Sequence, residues 1–327
     1  MLEIKQEPEH FIVNEIAHLN LVPEGDYGIF TLIKKDYTTE EAINIIAKHL
    51  KLQPKAIGFA GNKDKRAITF QFISIPNGSK EHELTLPGIQ LAFIGFSNEP
   101  IRLGSLLGNQ FIIRVYSDQL PKEQKYMPNY FNDQRFSANN PEVGKAIIKK
   151  DFKQAVELIS ENDHEFKQSA AQHLKVHKND YVGCLKLLSK QRLLLYVHSF
   201  QSLLFNQALD MYIRRNTTNF REHEIYGMKF AFPNEQLEQI KLPVPGFATA
   251  FTPTTKELYA PLLRAHDVQL IEFVIKEIPW LSQDGTTREG FVEIEKLKIT
   301  RIKYIEYLLE FFLKKGSYAT IAVKSLF

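Results

Sequence analysis

A charged turn at Gly61–Arg66 has the composition of a catalytic loop. It reads Gly-Asn-Lys-Asp-Lys-Arg and separates two apolar segments, 57–60 and 67–75, that are predicted as strands. Asp64 would project from this junction, and the neighbouring lysines and arginine would hold its carboxylate ionised. An ionised carboxylate can act as a nucleophile. Because an exposed hairpin tip has the same composition, the turn alone is compatible with both interpretations.

A second segment, Pro128–Phe136, alternates aromatic, amide and guanidinium side chains. Such a mixture suits a nucleobase that has left its helix, because rings stack on the base and amides read its edges. A surface loop with two core aromatic residues would have a similar composition. The segment therefore indicates an RNA-binding site only in combination with other evidence.

Composition and missing motifs exclude several classes of protein. The chain has 327 residues, which suggests about two domains, and a single cysteine, Cys184, which excludes a disulfide framework and a cysteine-cluster metal site. It contains no HExxH, Walker A, GxGxxG or GxSxG motif. The net charge of +3 neither requires nor excludes a nucleic-acid partner, because a local basic patch is sufficient for binding.

The beginning of the sequence is charged where a secretory signal would be apolar. No apolar run approaches the ~18 residues of a membrane span. We therefore expect a cytoplasmic protein without membrane association.

Hydrophobic patterns predict strands near both ends of the chain and helices between them. Thr38 and Glu41 form a capping-box pattern for a helix that reaches about Leu52. Apolar residues recur at helical spacing over 144–213, and strands return from Phe291 to a last strand over 318–323. The strands predicted in the first part of the chain cover 28–33, 57–60, 67–75, 90–96 and 110–116. In the strand 67–75, alternation places Thr69 and Gln71 on the face opposite Ile68, Phe70 and Phe72.

These segments together resemble the TruD family of pseudouridine synthases, and the similarity runs through the whole chain. Lys5–Val13 is similar to the K-x-x-P-E-D-F-x-V start of that family, and Gly58–Gln71 contains its G-x-K-D-(K/R)-x-A-x-T-x-Q signature. The remaining similar blocks follow in the family's order: Leu103–Gly104, Gly108–Phe111, Asn129–Phe131 with Gln134–Phe136, Gln201–Asn206 and Lys315–Thr320.

The resemblance implies roles for individual residues. Asp64 resembles the nucleophile of pseudouridine synthases, and Lys5 its basic partner. Phe131 resembles the aromatic ring that stacks on the target base, and Asn129 a polar group that supports the base or its loop. Further candidates for RNA contact or loop support are Lys63, Arg66, Thr69, Gln71, Gln134 and Arg135.

The resemblance also implies a fold and a substrate. The expected fold class is α+β, with a mixed, mainly antiparallel sheet in a discontinuous catalytic domain (1–150 and 288–327) and an insertion domain over 151–287. The expected reaction isomerises a uridine of tRNA, specifically uridine 13 in the D-arm. This isomerisation adds and removes no atom, so no cofactor and no metal are expected. We expect tRNA as the partner and no obligatory protein partner.

Two other functions remain open from the sequence. A non-catalytic RNA-binding protein could keep the same fold, although it would not need Asp64 with its flanking pattern. A glycosidase would need a second carboxylate near Asp64. The motif blocks contain no such partner, but folding could bring one close.

Overall fold

Two compact units make up the protein in a computed structural model, which describes residues 2–4 and 7–327. Unit 1 contains the residues up to Lys125, then Glu293–Ala319 and Leu326–Phe327. Unit 2 contains Tyr126–Val292 and Thr320–Ser325. The units differ in extent from the predicted domains 1–150 with 288–327 and 151–287, whose boundaries stay a prediction.

The part of the chain up to Lys125 consists mainly of strands. The strands are β1 (Leu2–Ile4), β2 (Phe11–Ile16), β3 (Tyr27–Lys35), β4 (Gly58–Phe59), β5 (Ile68–Pro76), β6 (Leu84–Leu86), β7 (Ile89–Ser97) and β8 (Gly108–Ser117). One α-helix, α1 (Thr39–His49), lies between β3 and β4. Thr38 is its N-cap and forms a capping box with Glu41, which confirms the predicted start of this helix.

Residues 126–292 are mainly helical. The helices are α2 (Asp133–Phe136), α3 (Asn140–Ile148), α4 (Phe152–Asn162), α5 (His164–Val176), α6 (Tyr181–Leu185), α7 (Lys190–Asn216) and α8 (Pro253–Ala265). The strands here are β9 (Tyr126–Pro128), β10 (Phe220–Ile225), β11 (Met228–Pro233), β12 (Lys241–Val244), β13 (Thr286–Glu289) and β14 (Phe291–Glu293).

The chain ends with two long strands and a helix: β15 (Glu295–Lys303), β16 (Glu306–Lys314) and α9 (Ala319–Leu326). The prediction of a last strand over 318–323 was therefore wrong. Its β-branched residues favoured a strand, but Ala322, Val323 and Leu326 are all buried. Ile321 and Ser325 are buried as well, so the segment is enclosed on more than one side and packing outweighed local propensity.

The sheet of unit 1 positions the charged turn. Its strand order is β15-β16-β8-β2-β5-β3-β7-β6, with β1 paired to β8 and β4 to β5. The β2–β5 pair is parallel, and the other pairs of this sheet are antiparallel. The predicted fold class, α+β with a mixed and mainly antiparallel sheet, is confirmed.

Helix α1 covers one face of this sheet. Its buried residues Ile43 and Ile46 pack with Phe30 and Leu32 of β3. Along β5, Thr69 and Gln71 are buried while Ile68, Phe70 and Phe72 are partly exposed, so the predicted alternation is confirmed. The polar residues of β5 therefore lie on its more deeply buried face.

Helix α7 is the centre of unit 2. It has 27 residues, most of them buried, and α3 packs closely against it. A Cβ atom at Gly144 of α3 would lie 2.1 Å from the carbonyl oxygen of Tyr196, so only glycine permits this close approach of the helices. In the described part of the chain, no helix is both long and apolar enough to span a membrane.

Candidate active site

The charged turn of unit 1 connects β4 to β5, as predicted. Asp64 is half-buried in it, and Lys65 and Arg66 are exposed. Lys63 points inward, with a side chain that is only 6% exposed. The charges of the turn are thus divided between solvent and the interior.

Lys63 forms an ion pair with Glu15 of β2, whose carboxylate is fully buried. The second oxygen of Glu15 accepts a hydrogen bond from the backbone N–H of Phe72 at 3.3 Å. A buried charge is tolerated only when it is paired and hydrogen-bonded. This ion pair therefore fixes the turn to the sheet at the position before Asp64.

Thr39, at the start of α1, makes a second connection. Its hydroxyl oxygen Oγ1 accepts from the backbone N–H of Lys63 at 2.9 Å and donates to Gln71 Oε1 at 3.0 Å. Within the described residues, Gln71 Nε2 and Thr69 Oγ1 are buried without a hydrogen-bond partner. Both belong to the predicted site, where buried polar atoms without partners are most readily explained.

Lys34 of β3 makes a third connection. Its ammonium Nζ donates to the backbone carbonyls of Tyr37 at 2.7 Å and Asp64 at 2.8 Å. Burial lowers the pKa of Lys34 to about 8, although the charge of Asp64 opposes this effect. Sequence analysis did not identify Lys34, because a lysine at the end of a strand is usually solvated.

The exposed side of the turn is tied to the helix cap. Lys65 Nζ donates to Glu41 Oε1 at 2.9 Å, and Glu41 Oε2 accepts from the backbone N–H of Thr38 at 2.7 Å. The helix cap and the turn thus share one carboxylate. Lys5, the predicted basic partner of Asp64, lies outside the described residues.

In unit 2, Phe131 follows β9 and is fixed by a buried asparagine. The side chain of Asn206, on α7, accepts from the backbone N–H of Phe131 and donates to its carbonyl, each at 2.8 Å. The ring of Phe131 contacts that of Phe205 edge to face, with 5.5 Å between centroids. The predicted stacking residue is therefore held in a single backbone conformation.

Arg288 of β13 connects Asn129 with Phe131. Its guanidinium donates to the backbone carbonyl of Asn129 at 3.0 Å and to Asn129 Oδ1 at 2.5 Å. Its Cζ atom lies 4.3 Å from the centroid of the Phe131 ring. Sequence analysis missed both Arg288 and Asn206. Asn206 lies in the Gln201–Asn206 motif block, which could have identified it. Arg288 lies in none of the motif blocks.

Phe131 also lines a cavity of about 540 Å³ within unit 2. Arg135 is half-buried there, with its Cζ atom 5.6 Å from the centroid of the Phe131 ring, and Gln134 is exposed. The remaining lining residues are His198, Gln201, Ser202, Val244, Ser282, Gln283, Asp284, Gly285, Thr286, Thr287 and Arg288. The wall combines an aromatic ring, two guanidinium groups and amides, which are the groups that bind nucleobases.

The predicted site residues thus fall into two sets. Unit 1 brings together Lys63, Asp64, Thr69 and Gln71 around one turn, with Arg66 at its exposed end. Unit 2 brings together Asn129, Phe131 and Arg135, with Gln134 beside them. Over residues 2–4 and 7–327, no group of three or more histidine, cysteine or acidic residues could hold a metal ion.

Comparisons with known proteins identify relatives of this chain. The sequence profile of the family "tRNA pseudouridine synthase D (TruD)" matches residues 2–170 and 160–326. A "Probable tRNA pseudouridine synthase D" of Nanoarchaeum equitans is 32% identical over 380 residues, covering 100% of this chain and 98% of that protein. The "tRNA pseudouridine synthase D" of Aquifex aeolicus is 28% identical over 393 residues, covering 100% and 98%.

A solved structure has the same fold. The "Putative tRNA pseudouridine synthase D (TruD)" of Methanosarcina mazei superimposes with a TM-score of 0.72 at 26% identity, covering 99% of this chain and 93% of that one. The fold is therefore that of a pseudouridine synthase, an RNA-modifying isomerase. The chain belongs to the tRNA pseudouridine synthase D (TruD) family, which confirms the family and the enzyme class inferred from the motifs.

Proposed function

We propose that this chain isomerises uridine 13 in the D-arm of tRNA to pseudouridine, with Asp64 as the nucleophile. The proposal rests on the way in which the backbone around Asp64 is held. Its turn contains the family signature, and buried side chains on three separate elements hold the backbone around it: Glu15 of β2, Lys34 of β3 and Thr39 of α1. A carboxylate fixed in this way suits attack in a defined geometry.

The reaction breaks the C1′–N1 bond of the target uridine and forms a C1′–C5 bond. The proton on C5 leaves and N1 gains one, so no other reactant is consumed. Attack on the sugar, attack on the uracil ring and abstraction of a sugar proton would each use the Asp64 carboxylate. Lys5 would be the basic partner that keeps this carboxylate ionised.

The target base must leave its helical stack, which costs a few kcal/mol. In unit 2, the Phe131 ring and the planar guanidinium of Arg288 offer stacking surfaces, and the cavity of about 540 Å³ exceeds the volume of a nucleobase. We assign base binding to these residues with Asn129 and Arg135. The exposed Arg66 and Gln134 would contact the tRNA, and Thr69 and Gln71 would support the turn. The activity belongs to the cytoplasm, where tRNA functions.

The test is pseudouridine mapping at single-nucleotide resolution. Unmodified tRNA transcripts are incubated with the wild type, Asp64→Asn or Asp36→Asn. Asp36 is an exposed aspartate with a positive φ of 63°, a conformation that asparagine tolerates, so this variant controls for the loss of one carboxylate. We expect pseudouridine at position 13 with the wild type and Asp36→Asn only, and similar tRNA affinity for all three proteins.

Other results would count against separate parts of the proposal. Pseudouridine at another position would exclude the assigned target and keep the reaction. Full activity of Asp64→Asn would exclude the nucleophile. Tight tRNA binding without any product would favour the non-catalytic RNA-binding function.

A further inference from the structure

We propose that Lys34 is a positioning residue of this reaction, holding the backbone at Asp64 so that the carboxylate is presented in one orientation. The inference rests on the proposed role of Asp64. Lys34 is not in the signature turn, which lies about thirty positions further along the chain. It acts on the turn through the fold alone.

The burial of Lys34 is the first part of the case. Phe30 and Leu32 lie on the same face of β3, and both are fully buried in the core beneath α1. Lys34 continues this row and is only 1% exposed. An apolar residue would satisfy packing there at lower cost, because burial of an ammonium is unfavourable unless its hydrogen bonds are satisfied.

The contacts of Lys34 are the second part. Its ammonium donates to the carbonyl of Asp64 at 2.8 Å and to that of Tyr37 at 2.7 Å, and the carbonyl of Lys63 lies 3.5 Å away. The Lys34 side chain therefore links the segment between β3 and α1 to the charged turn, and its contact in the turn is the backbone carbonyl of Asp64 itself. An error of about 1 Å in the placement of a reacting group can lower a rate about a hundredfold.

The charges around Lys34 are the third part. Asp64 and Glu41 raise its pKa, Lys63 lowers it, and burial has the largest effect, which brings the pKa to about 8. Above that pH, the neutral amine keeps only two N–H donors, and Lys34 loses the positive charge close to Asp64. The rate of the chemical step should then fall as the pH rises through about 8.

The experiment measures single-turnover rates and tRNA dissociation constants from pH 6.5 to 9.5. The proteins are the wild type, Lys34→Met, Lys34→Arg and the control Lys35→Met. Lys35 is the next residue and pairs with Glu9 on the surface. We expect Lys34→Met to be at least ~100-fold slower at pH 7, with a tRNA dissociation constant within about twofold of the wild type. Lys35→Met should retain the wild-type rate.

The pH profile separates positioning from general support of the fold. The wild-type rate should halve near pH 8, and Lys34→Arg should recover activity and move the fall to higher pH, because arginine stays protonated. The pH profiles of the wild type and Lys34→Arg test the positioning role of Lys34 even if Lys34→Met fails to fold. A wild-type rate that stays constant to pH 9.5, or a Lys34→Met rate equal to the wild type, would overturn the inference. Activity in Asp64→Asn would instead overturn the proposed function.

Discussion

At the scale of single residues, the buried pair of Lys63 and Glu15 supports the turn through charge. Replacing Glu15 by glutamine leaves the Lys63 ammonium buried without a carboxylate, which should lower the free energy of unfolding by about 3–5 kcal/mol. Replacing both residues, as Glu15→Gln with Lys63→Met, removes both charges and should cost less than Glu15→Gln and Lys63→Met added together. Urea unfolding of the three variants measures this coupling. Additive effects would show that the two charges are independent.

Asn206 supports Phe131 through hydrogen bonds rather than charge. Asn206→Ala leaves the buried N–H and carbonyl of Phe131 without their partner, at a cost of about 2–4 kcal/mol. The matched control is Asn216→Ala at the exposed end of the same helix, where the amide donates to the carbonyl of Tyr212 at 2.8 Å. Its effect should stay within about 0.5 kcal/mol. Equal losses in the two variants would contradict the assigned role of Asn206.

The residues that the motifs predicted and those they missed differ in how they act. Asp64, Asn129 and Phe131 belong to short contiguous patterns, which a sequence displays directly. Lys34 and Arg288 act on those patterns from distant strands, and both donate to backbone carbonyls, which carry no residue signature. Only the tertiary fold brings such contacts together. Sequence analysis could therefore name candidate site residues but not the contacts that hold them in place.

At the scale of elements, the cap of α1 is linked to the turn through Glu41. The backbone N–H of Thr38, and secondarily Lys65, lower the pKa of Glu41 to about 2. A carboxyl group with a lowered pKa in the folded state stabilises it above the unfolded pKa of ~4.3, and this contribution is lost as the pH falls towards 2. We therefore expect Glu41→Gln to be less stable than the wild type at pH 6, with a difference that shrinks at lower pH.

Urea unfolding at several pH values between 3 and 7 measures the effect of Glu41→Gln. Glu40→Gln, in the same helical turn, controls for the loss of one negative charge. A difference between Glu41→Gln and the wild type that is constant over this range would show that the cap does not depend on ionisation.

Elements with strong local signals were predicted well. The capping box fixed the start of α1, and alternation identified β5 with its buried polar face. The end of the chain was predicted wrongly, because α9 contains Thr320, Ile321 and Val323, β-branched residues that favour strands locally. Domain limits are harder still. Unit 2 begins at the short strand β9, whereas the sequence first becomes helical near Gly144.

At the scale of the whole molecule, acid should weaken unit 2 through three partly buried histidines. Burial lowers the pKa of His198, His223 and His266, and that of His223 reaches about 4. The unfolded chain takes up a proton near pH 6.5 and the folded chain only near pH 4. Stability is therefore present above pH 6.5 and is lost as the pH falls between these values, by at most ~1.4 kcal/mol per pH unit for one proton.

His223→Gln should reduce the loss of stability of unit 2 as the pH falls. The only tryptophan, Trp280, lies in unit 2, so its fluorescence reports urea unfolding of that unit at each pH. His49→Gln, an exposed replacement in unit 1, is the control and should follow the wild type. A wild-type slope that persists in His223→Gln would assign the acid sensitivity to other groups.

The position of β16 in the sheet has a consequence for the protein during its synthesis. This strand pairs with β8 along its whole length, and β8 in turn pairs with β2. A ribosome makes residues 306–314 only after all of 126–292, so the sheet that carries the Asp64 turn stays incomplete until that whole segment has been made. A nascent chain therefore exposes this edge of β8 while residues 126–292 are being made, and an open strand edge promotes aggregation. A chain that stops before residue 306 would lack β16 and leave this edge of β8 unpaired in the sheet that carries the Asp64 turn.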